Sequence, residues 1–171
     1  MEANLIVTYD PTHAGKATEE IKELIEGFGG AEFLESGFEG VSLLHTKQSP
    51  KKIVKSLSET CKDEPYKFKY TFRWIPVDKW CNSKITDMVS AMDEIDKKIG
   101  EHESWKMDVG KRGYEGDTME LIMKLTESIN KPHVNLKNPD KIIKVEIVGD
   151  RTGISLLDKD EYLNIAKMKT V

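Results

Sequence analysis

The first half of the chain alternates extended segments with amphipathic ones. Apolar residues recur at helical spacing in two stretches, and capping residues Thr18 and Ser49 stand at their starts. The first predicted helix buries Ile21, Leu24, Ile25 and Phe28, and the second buries Ile53, Val54, Leu57 and Cys61. The predicted strands are Leu5–Tyr9, Glu32–Ser36, Val41–Thr46 and Tyr66–Trp74. The order strand, helix, strand, strand, helix, strand predicts a ferredoxin-like unit over residues 1–75.

A second pattern of helices and strands follows Pro76. One apolar helix stripe contains Ile85, Met88, Val89, Met92, Ile95 and Ile99. Alternation over Trp105–Val109 predicts a half-buried strand. We expect a loop at Lys111–Gly116, and Asp117 is expected to cap another helix. A last strand, Ile154–Leu157, and a short helix near Tyr162 to Lys167 close the chain. The fold class is therefore predicted as α/β (α+β), with domains at 1–75 and 76–171.

The run from His133 to Val148 is the most structured part of this second pattern. Asn138-Pro139-Asp140 is typical of a turn, because proline fixes φ and both neighbouring side chains can bond the backbone. After the turn, Ile143, Val145 and Ile147 alternate with Lys144 and Glu146, which predicts a strand with one apolar and one polar face.

Composition restricts the classes of partner. The chain has 26 Lys and Arg against 30 Asp and Glu, for a net charge of −4. A protein that binds nucleic acid over its whole surface is usually basic, so RNA binding here requires a local patch. No apolar run is long enough to cross a membrane and the N-terminus does not resemble a signal peptide, which predicts a cytoplasmic protein without membrane contact.

Motifs of conventional catalysis are missing from the sequence. The four histidines show no HExxH spacing, and neither GxSxG nor GxGxxG occurs. Gly15-Lys16 follows a strand, but Asp10 stands where a phosphate-binding loop has its first glycine. Cys61 and Cys81 lack CxxC spacing, so neither a zinc site nor a disulfide is expected. The sequence predicts a protein that is not an enzyme and has no cofactor.

Three cations alternate with aromatic residues in the predicted strand Tyr66–Trp74. If this segment is extended, Lys67, Lys69 and Arg73 lie on one face at multiples of about 7 Å. That spacing suits contacts with successive phosphates along a nucleic-acid strand. The alternative is a solvated strand whose cations protect a sheet edge or pair with nearby glutamates.

Two further groups are candidates for contact with RNA. Lys111 and Arg112 stand between a predicted strand and helix, where cations and backbone N–H groups can bind a phosphate. An ordinary exposed loop is the alternative. His133 and Asn135 could reach a base edge or a ribose, although Asn135 could instead cap the following turn.

Three stretches between about residues 72 and 150 resemble a known family. They are Phe72-Arg73 with Pro76-Val77 and Cys81, then Trp105–Val109 followed by Lys111-Arg112, and then Val134-Asn135-Leu136 with Asn138-Pro139-Asp140 and Val145-Glu146-Ile147. In this order they are similar to the THUMP-domain proteins that act as partners of tRNA cytidine acetyltransferase. The resemblance implies a ferredoxin-like unit followed by a THUMP-like RNA-binding domain.

This resemblance implies a tRNA-binding adaptor. It would present the tRNA acceptor end to a separate RNA-modifying enzyme, a cytidine acetyltransferase, which would itself use acetyl-CoA and ATP. Lys111 and Arg112 would hold acceptor-end phosphates, His133 and Asn135 would lie near the terminal nucleotides, and Lys67, Lys69 and Arg73 would extend the track. The alternatives are a transferase acting directly on RNA and a protein-interaction module with incidental RNA contact.

Overall fold

Two separate sheets organise the chain in the computed structural model, which describes residues 1–170. One compact unit contains residues 1–77 together with the C-terminal residues from Asp160, and the other contains Asp78–Lys159. The α/β fold class predicted from the sequence is confirmed, with helices and a mostly antiparallel sheet in each unit.

The first unit follows the predicted element order. Its elements are β1 (Leu5–Tyr9), α1 (Ala14–Ile25), β2 (Ala31–Leu34), β3 (Val41–Thr46), α2 (Pro50–Asp63) and β4 (Thr71–Pro76). Short 3-10 helices lie at Pro11–His13, Glu26–Phe28 and Pro65–Lys67. The strands are hydrogen-bonded in the order β2-β3-β1-β4, and every pair is antiparallel, which is the arrangement of a ferredoxin-like unit.

Local sequence explains the helix limits of this unit. The Ser49 hydroxyl accepts a hydrogen bond from the Lys52 N–H, and Pro50 occupies the first turn of α2. The chain leaves the α1 region through Gly29, whose φ of 89° few other residues adopt. The helices and one sheet face enclose a core of Leu5, Val7, Ile21, Ile25, Leu44, Ile53, Val54, Leu57, Cys61, Phe68 and Trp74.

The second unit forms a four-stranded sheet. Its elements are β5 (Lys79–Asn82), α3 (Ile85–Asp96), β6 (Trp105–Arg112), α4 (Thr118–Glu127), β7 (Lys141–Val148) and β8 (Arg151–Asp158). The strand order is β5-β8-β7-β6, with β6 parallel to β7 and the other pairs antiparallel. One sheet face packs with α3 and α4 around Met88, Met92, Trp105, Leu121, Leu125, Ile143, Val145 and Ile147.

The chain then returns to the first sheet. The two-residue strand β9 (Leu163–Asn164) pairs with β4, and α5 (Ile165–Lys169) follows it. Leu163 and Ile165 are buried in the first core. The predicted second domain, 76–171, therefore differs from the observed division at its C-terminal end, because the last residues complete the first unit.

The predicted strand Tyr66–Trp74 is wrong over its first half. Residues 65–67 form a 3-10 helix, and β4 begins only at Thr71. The buried carboxylate of Glu20 accepts hydrogen bonds from the N–H groups of Lys69, Tyr70 and Thr71, at 2.7, 3.0 and 2.8 Å. These bonds pair backbone N–H groups that no neighbouring strand binds. A register shift in the pairing of β1 with β4 then leaves the Phe72 side chain exposed to solvent.

Candidate nucleic-acid interface

One edge of the second sheet gathers most of its candidate cations. Because β5, β6 and β7 run in the same direction, their carboxyl ends meet at one edge, where β8 begins. Both α3 and α4 also start there, following β5 and β6. We refer to this as the carboxyl edge, and to the opposite end, where β6 and β7 begin, as the amino edge. Exposed N–H groups at strand and helix ends make carboxyl edges frequent ligand sites in α/β proteins.

Lys111 and Arg112 lie at the carboxyl edge, but on β6 rather than in a loop. The predicted loop begins later because both residues pair with β7, opposite Ile147 and Val148. Consecutive strand residues point to opposite faces, so the two cations are separated by the sheet. Lys111 lies on the helix side, where its ammonium donates to the Thr118 hydroxyl at the start of α4. Arg112 lies on the other side.

Arg112 has an unusual hydrogen-bonding state. Its side chain is half-buried, and its Nε is inaccessible to solvent, with no hydrogen-bond partner among residues 1–170. Its backbone is satisfied, since the Arg112 carbonyl accepts from the Gly149 N–H at 2.8 Å. A buried donor without an acceptor is costly, and most such groups in folded proteins are paired.

Sequence reasoning missed three polar residues at the same edge. Arg151 and Asn82 lie in one row with Val148 and Arg112, each opposite the next across neighbouring strands. Arg151 is exposed, and its Nη1 donates to the Asn82 Oδ1 at 3.5 Å. Lys84 precedes α3 nearby and is also exposed. The sequence contained the signal: Gly149-Asp150 is a two-residue hairpin turn, which starts β8 at Arg151 rather than at Ile154.

The two helix starts at the carboxyl edge differ. Asp117 caps α4, because its Oδ1 accepts from the N–H groups of Met119 and Glu120 at 2.9 and 3.1 Å. This confirms the predicted cap and fills that helix end with a carboxylate. Lys84 makes no side-chain capping bond at α3. A depression beside it is lined by Asn82, Ser83, Lys84 and Asp150.

His133 and Asn135 lie at the amino edge, at the opposite end of β6 from Lys111. Trp105 holds this segment: its N–H donates to the His133 carbonyl at 2.9 Å, and its carbonyl accepts from Asn135 at 3.0 Å. Lys111 follows Trp105 by six positions along β6, a distance of about 20 Å. Lys111 and Arg112 therefore do not lie close to His133 and Asn135, because β6 runs its full length between the two pairs.

The Asn135 side chain has a structural role. Its Oδ1 accepts from the N–H groups of Lys137 and Asn138 at 3.1 and 3.0 Å, which is the turn-capping alternative. Pro139 is buried in the turn. Asp140 accepts from the Ser104 N–H at 2.8 Å, and bonds with Ser104 lower the pKa of this carboxyl below its usual value. His133 itself is exposed.

The polar face of β7 is buried rather than solvated. Alternation of Ile143, Val145 and Ile147 with Lys144 and Glu146 is confirmed, but both charged side chains are nearly inaccessible. The Lys144 ammonium lies 2.8 Å from the Glu146 carboxylate and 3.5 Å from Asp108. Burial of two opposite charges requires such close pairing. The carboxylate also lies against Gly110, where a Cβ would come within 2.2 Å of Oε2.

The cations of the first unit do not form the predicted ladder. Lys67 lies in a 3-10 helix and pairs with Glu64 at 3.0 Å, which lowers the pKa of the Glu64 carboxyl. Lys69 is exposed beside the backbone that Glu20 binds, and Arg73 lies within β4 opposite Thr8 and Asn164. The predicted regular spacing does not arise, because Arg73 is on a strand while Lys67 and Lys69 precede it.

Residues 1–170 show no metal-binding cluster, disulfide or membrane-spanning helix. These residues contain no group of three or more His, Cys, Asp or Glu side chains placed to hold a metal ion. Neither thiol in this range is in a disulfide, and burial raises the pKa of both Cys61 and Cys81. No helix in the described part of the chain has the length and apolar character to cross a membrane.

Comparison of the coordinates with solved structures shows the fold. The chain resembles PH1313 from Pyrococcus horikoshii Ot3 with a TM-score of 0.62 and 16% identity, covering 92% of this chain and 55% of that one. It resembles TrmN from Thermus thermophilus with a TM-score of 0.58 and 13% identity, and the match covers 89% of this chain and 44% of that one. It resembles a 4-thiouridine synthetase in complex with RNA and ATP with a TM-score of 0.51 and 16% identity, and the match covers 92% of this chain and 42% of that one. The chain thus spans about half the length of these structures.

The sequence comparisons locate the family more narrowly. No curated protein matches the chain significantly. The family model of the THUMP domain matches residues 83–157, which run from the end of β5 almost to the end of β8. This range contains Lys111, Arg112, His133, Asn135 and Arg151. Residues 83–157 are therefore identified as a THUMP domain, within a chain that shares its fold with these longer structures.

Proposed function

We propose that this protein binds tRNA at its acceptor end and presents it to a separate RNA-modifying enzyme. The THUMP match over residues 83–157 is the observation that carries the proposal. The likeness to a 4-thiouridine synthetase crystallised with RNA supports it at the level of the fold. Since the chain covers less than half of that structure, the catalytic activity of the longer protein is not transferred to this chain.

The carboxyl edge of the second sheet is the part of the THUMP domain best suited to phosphate. It carries Lys84, Lys111, Arg112 and Arg151 on three strands or their adjoining loops. Cations supply most of the affinity of proteins for nucleic-acid backbones, and they do so in a local patch even when the net charge is −4. His133, about 20 Å away along β6, contacts a different part of the RNA.

The enzyme partner in this proposal is a tRNA cytidine acetyltransferase. The support is the resemblance of the stretches around Pro76-Val77, Lys111-Arg112 and Asn138-Pro139-Asp140 to adaptor proteins of that enzyme. The adaptor itself transfers no acetyl group. Acetyl-CoA and ATP are bound by the partner.

A titration with two forms of one tRNA tests recognition of the acceptor end. We expect the whole chain to bind intact tRNA at least about tenfold more tightly than the same tRNA without its single-stranded 3′ end, because one bidentate contact is worth about 1–3 kcal/mol. Affinities are measured by gel shift at one fixed salt concentration. Equal affinity for both forms contradicts acceptor-end binding, and no binding of either contradicts tRNA binding altogether.

An acetylation assay separates the adaptor from the enzyme hypothesis. The chain, a tRNA cytidine acetyltransferase, or both together are incubated with tRNA, ATP and labelled acetyl-CoA. We expect label in tRNA only when the acetyltransferase is present, with a higher rate when the chain is added. Label transfer by the chain alone would show that it is an enzyme, and a rate unaffected by the chain would contradict the adaptor role.

A further inference from the structure

Strand β2 forms one edge of the first sheet, where no strand among residues 1–170 covers it. Antiparallel strands bond through alternate residues, and the bond from the Tyr9 N–H to the Gly40 carbonyl, at 3.0 Å, fixes the alternation between β1 and β3. Carried across β3, it makes the even-numbered residues of β2 bond β3. The N–H and C=O groups of Ala31 and Phe33 therefore face the open edge, where an added strand could bond them.

A groove lies between this edge and the end of α1. It has a volume of about 590 Å³, and its apolar lining includes Ile25, Ala31 and Phe33. Ala31 and Phe33 alternate with Glu32, so the Glu32 side chain points to the other face of the sheet. The Phe33 side chain is 38% exposed, and the Lys22 ammonium lies 5.9 Å from its ring centroid. A strand added to β2 would direct every second side chain into this groove, which is how strand-adding domains obtain specificity.

The surroundings of the groove are acidic. Residues 16–40 contain two lysines and seven glutamates, a net charge of −5, whereas the whole chain has −4. Six of these glutamates are exposed and form no ion pair within residues 1–170. They are Glu19, Glu23, Glu26, Glu32, Glu35 and Glu39. Glu23 and Glu26 line the groove, and Glu32 lies on β2 itself. Charge complementarity across an interface therefore favours a basic partner here.

We propose that β2 docks an extended basic segment of a protein partner, which joins the first sheet as an additional strand. Its backbone bonds Ala31 and Phe33, its apolar side chains enter the groove, and its lysines or arginines lie near Glu26 and Glu32. A second copy of this chain fits poorly, because pairing two β2 edges would bring the same acids together. RNA phosphates are repelled for the same reason. This docking surface goes beyond tRNA binding and does not depend on it.

A synthetic peptide tests whether β2 accepts a basic strand. The ligand is a short capped peptide in which lysine alternates with valine, and amide NMR follows the whole chain. We expect the Ala31 and Phe33 signals to shift with one dissociation constant, and their hydrogen exchange to slow at least about tenfold at saturation, because the new hydrogen bonds protect them. Asn164 in β9, at the other edge of the sheet, should be unaffected. Unchanged Ala31 and Phe33 signals would overturn the proposal, as would equal shifts at Asn164.

Two altered peptides separate backbone pairing from charge. Methylation of the peptide's backbone nitrogens removes its N–H donors, and we expect it to weaken binding at least about tenfold. Replacement of every lysine by glutamate keeps the alternation but reverses the charge, and it should weaken binding by a similar factor. Unchanged affinity of the methylated peptide would contradict strand addition. Unchanged affinity of the acidic peptide would contradict a basic partner.

Variants of the chain test the named residues. We expect Glu26→Gln combined with Glu32→Gln to weaken binding of the lysine–valine peptide about fivefold, since each exposed ion pair contributes modestly. Glu59→Gln combined with Asp63→Asn is the matched control, because it removes the same charge from exposed positions of α2. Phe33→Ala should weaken binding about tenfold through loss of an aromatic contact. Equal affinity of all three variants would exclude the groove as the docking site.

Other occupants of β2 give different results. Shifts of the Ala31 and Phe33 signals on concentrating the chain without peptide would show that a second copy occupies the edge, and would overturn a basic partner. Shifts of the same signals with tRNA would overturn it as well. The peptide titration contains no RNA, so it is independent of the proposed function. Peptide binding by a chain that binds no tRNA would support the docking surface and contradict tRNA recognition.

Discussion

Gly110 determines how the polar face of the second sheet is packed. It is opposite Glu146 in the β6–β7 ladder, and the Glu146 carboxylate occupies the space that a side chain at 110 would need. A Cβ there would lie 2.2 and 2.6 Å from the two carboxylate oxygens. The glutamate cannot move away cheaply, because its charge is buried and paired with Lys144. Gly110 is thus required by packing rather than by backbone conformation.

Gly110→Ala should therefore destabilise the protein. We expect a loss of about 2 kcal/mol or more in unfolding free energy, since overpacking here also strains a buried ion pair. Urea denaturation measures it. Gly15→Ala is the matched control, because Gly15 lies in α1 with nothing within 4 Å of a new Cβ, and it should leave stability unchanged or slightly raised. Equal stability of both variants would show that Glu146 can move freely.

At the scale of elements, β6 decides which candidate cations can act together. Its alternation puts Lys111 and Arg112 on opposite faces, and its length puts His133 at the other end of the sheet. A single RNA phosphate cannot bridge these positions, so each contact is independent. Independent contacts make separate contributions to the salt dependence of binding.

The salt dependence of tRNA binding should report this independence. For B-DNA, each phosphate contact contributes about 0.9 to the slope of log K against log salt, and single strands about 0.7. We expect Lys111→Ala and Arg112→Ala each to lower the slope by about 0.7–0.9, and the double variant by about twice that. Lys97→Ala with Lys98→Ala removes the same charge at the end of α3 and should leave the slope unchanged. An unaltered slope in the first double variant would exclude both residues from the interface.

The helices and the apolar strands Leu5–Tyr9 and Val41–Thr46 were predictable from periodicity, whereas most strand ends were not. The predicted start of α1 at Thr18 is wrong, because the helix begins at Ala14 and the Thr18 hydroxyl donates to the Ala14 carbonyl within it. The α2 start at Ser49-Pro50 and the α4 cap at Asp117 follow from local chemistry that acts within three residues. By contrast, residues 66–70 leave the sheet because of Glu20, which lies about fifty positions earlier. Gly110-Lys111-Arg112 extends β6 only because β7 supplies its register. Contacts distant in sequence set both outcomes, so pattern alone could not.

The same reason explains which candidate site residues were missed. Lys111 and Arg112 were noticeable as a basic pair, but Arg151 and Asn82 become their neighbours only through the order β5-β8-β7-β6. No spacing in the sequence reveals that order. The hairpin turn at Gly149-Asp150 was the available local signal, since a two-residue turn fixes the register of both strands.

For the whole molecule, the last residues stabilise the first unit. Leu163 is fully buried among Trp74 and the other residues of the first core, and β9 covers the edge of β4. A leucine removed from such a core usually costs about 2–5 kcal/mol, through lost burial and the cavity that remains. The C-terminal segment is therefore part of the first unit energetically as well as by position.

Leu163→Ala should weaken the first unit selectively. Native-state hydrogen exchange measures the two sheets separately. Relative to the wild-type protein, we expect the variant's exchange rates to rise more in β1 and β4 than in β6 and β7. Leu136→Ala is the control, because that side chain is 71% exposed and its loss should cost little. Faster exchange mainly in β6 and β7 would place the C-terminal segment with the second unit instead.

The return of the chain to β4 has a consequence for synthesis on the ribosome. Residues 78–159 are made between β4 and the strand that pairs with it. Domains generally fold as they emerge, N-terminal parts first. Here the first sheet keeps β4 as an unpaired edge until the whole THUMP domain has been translated, and such edges can pair with other chains. Early termination within residues 78–159 would therefore release chains with an open β4 edge, prone to aggregation.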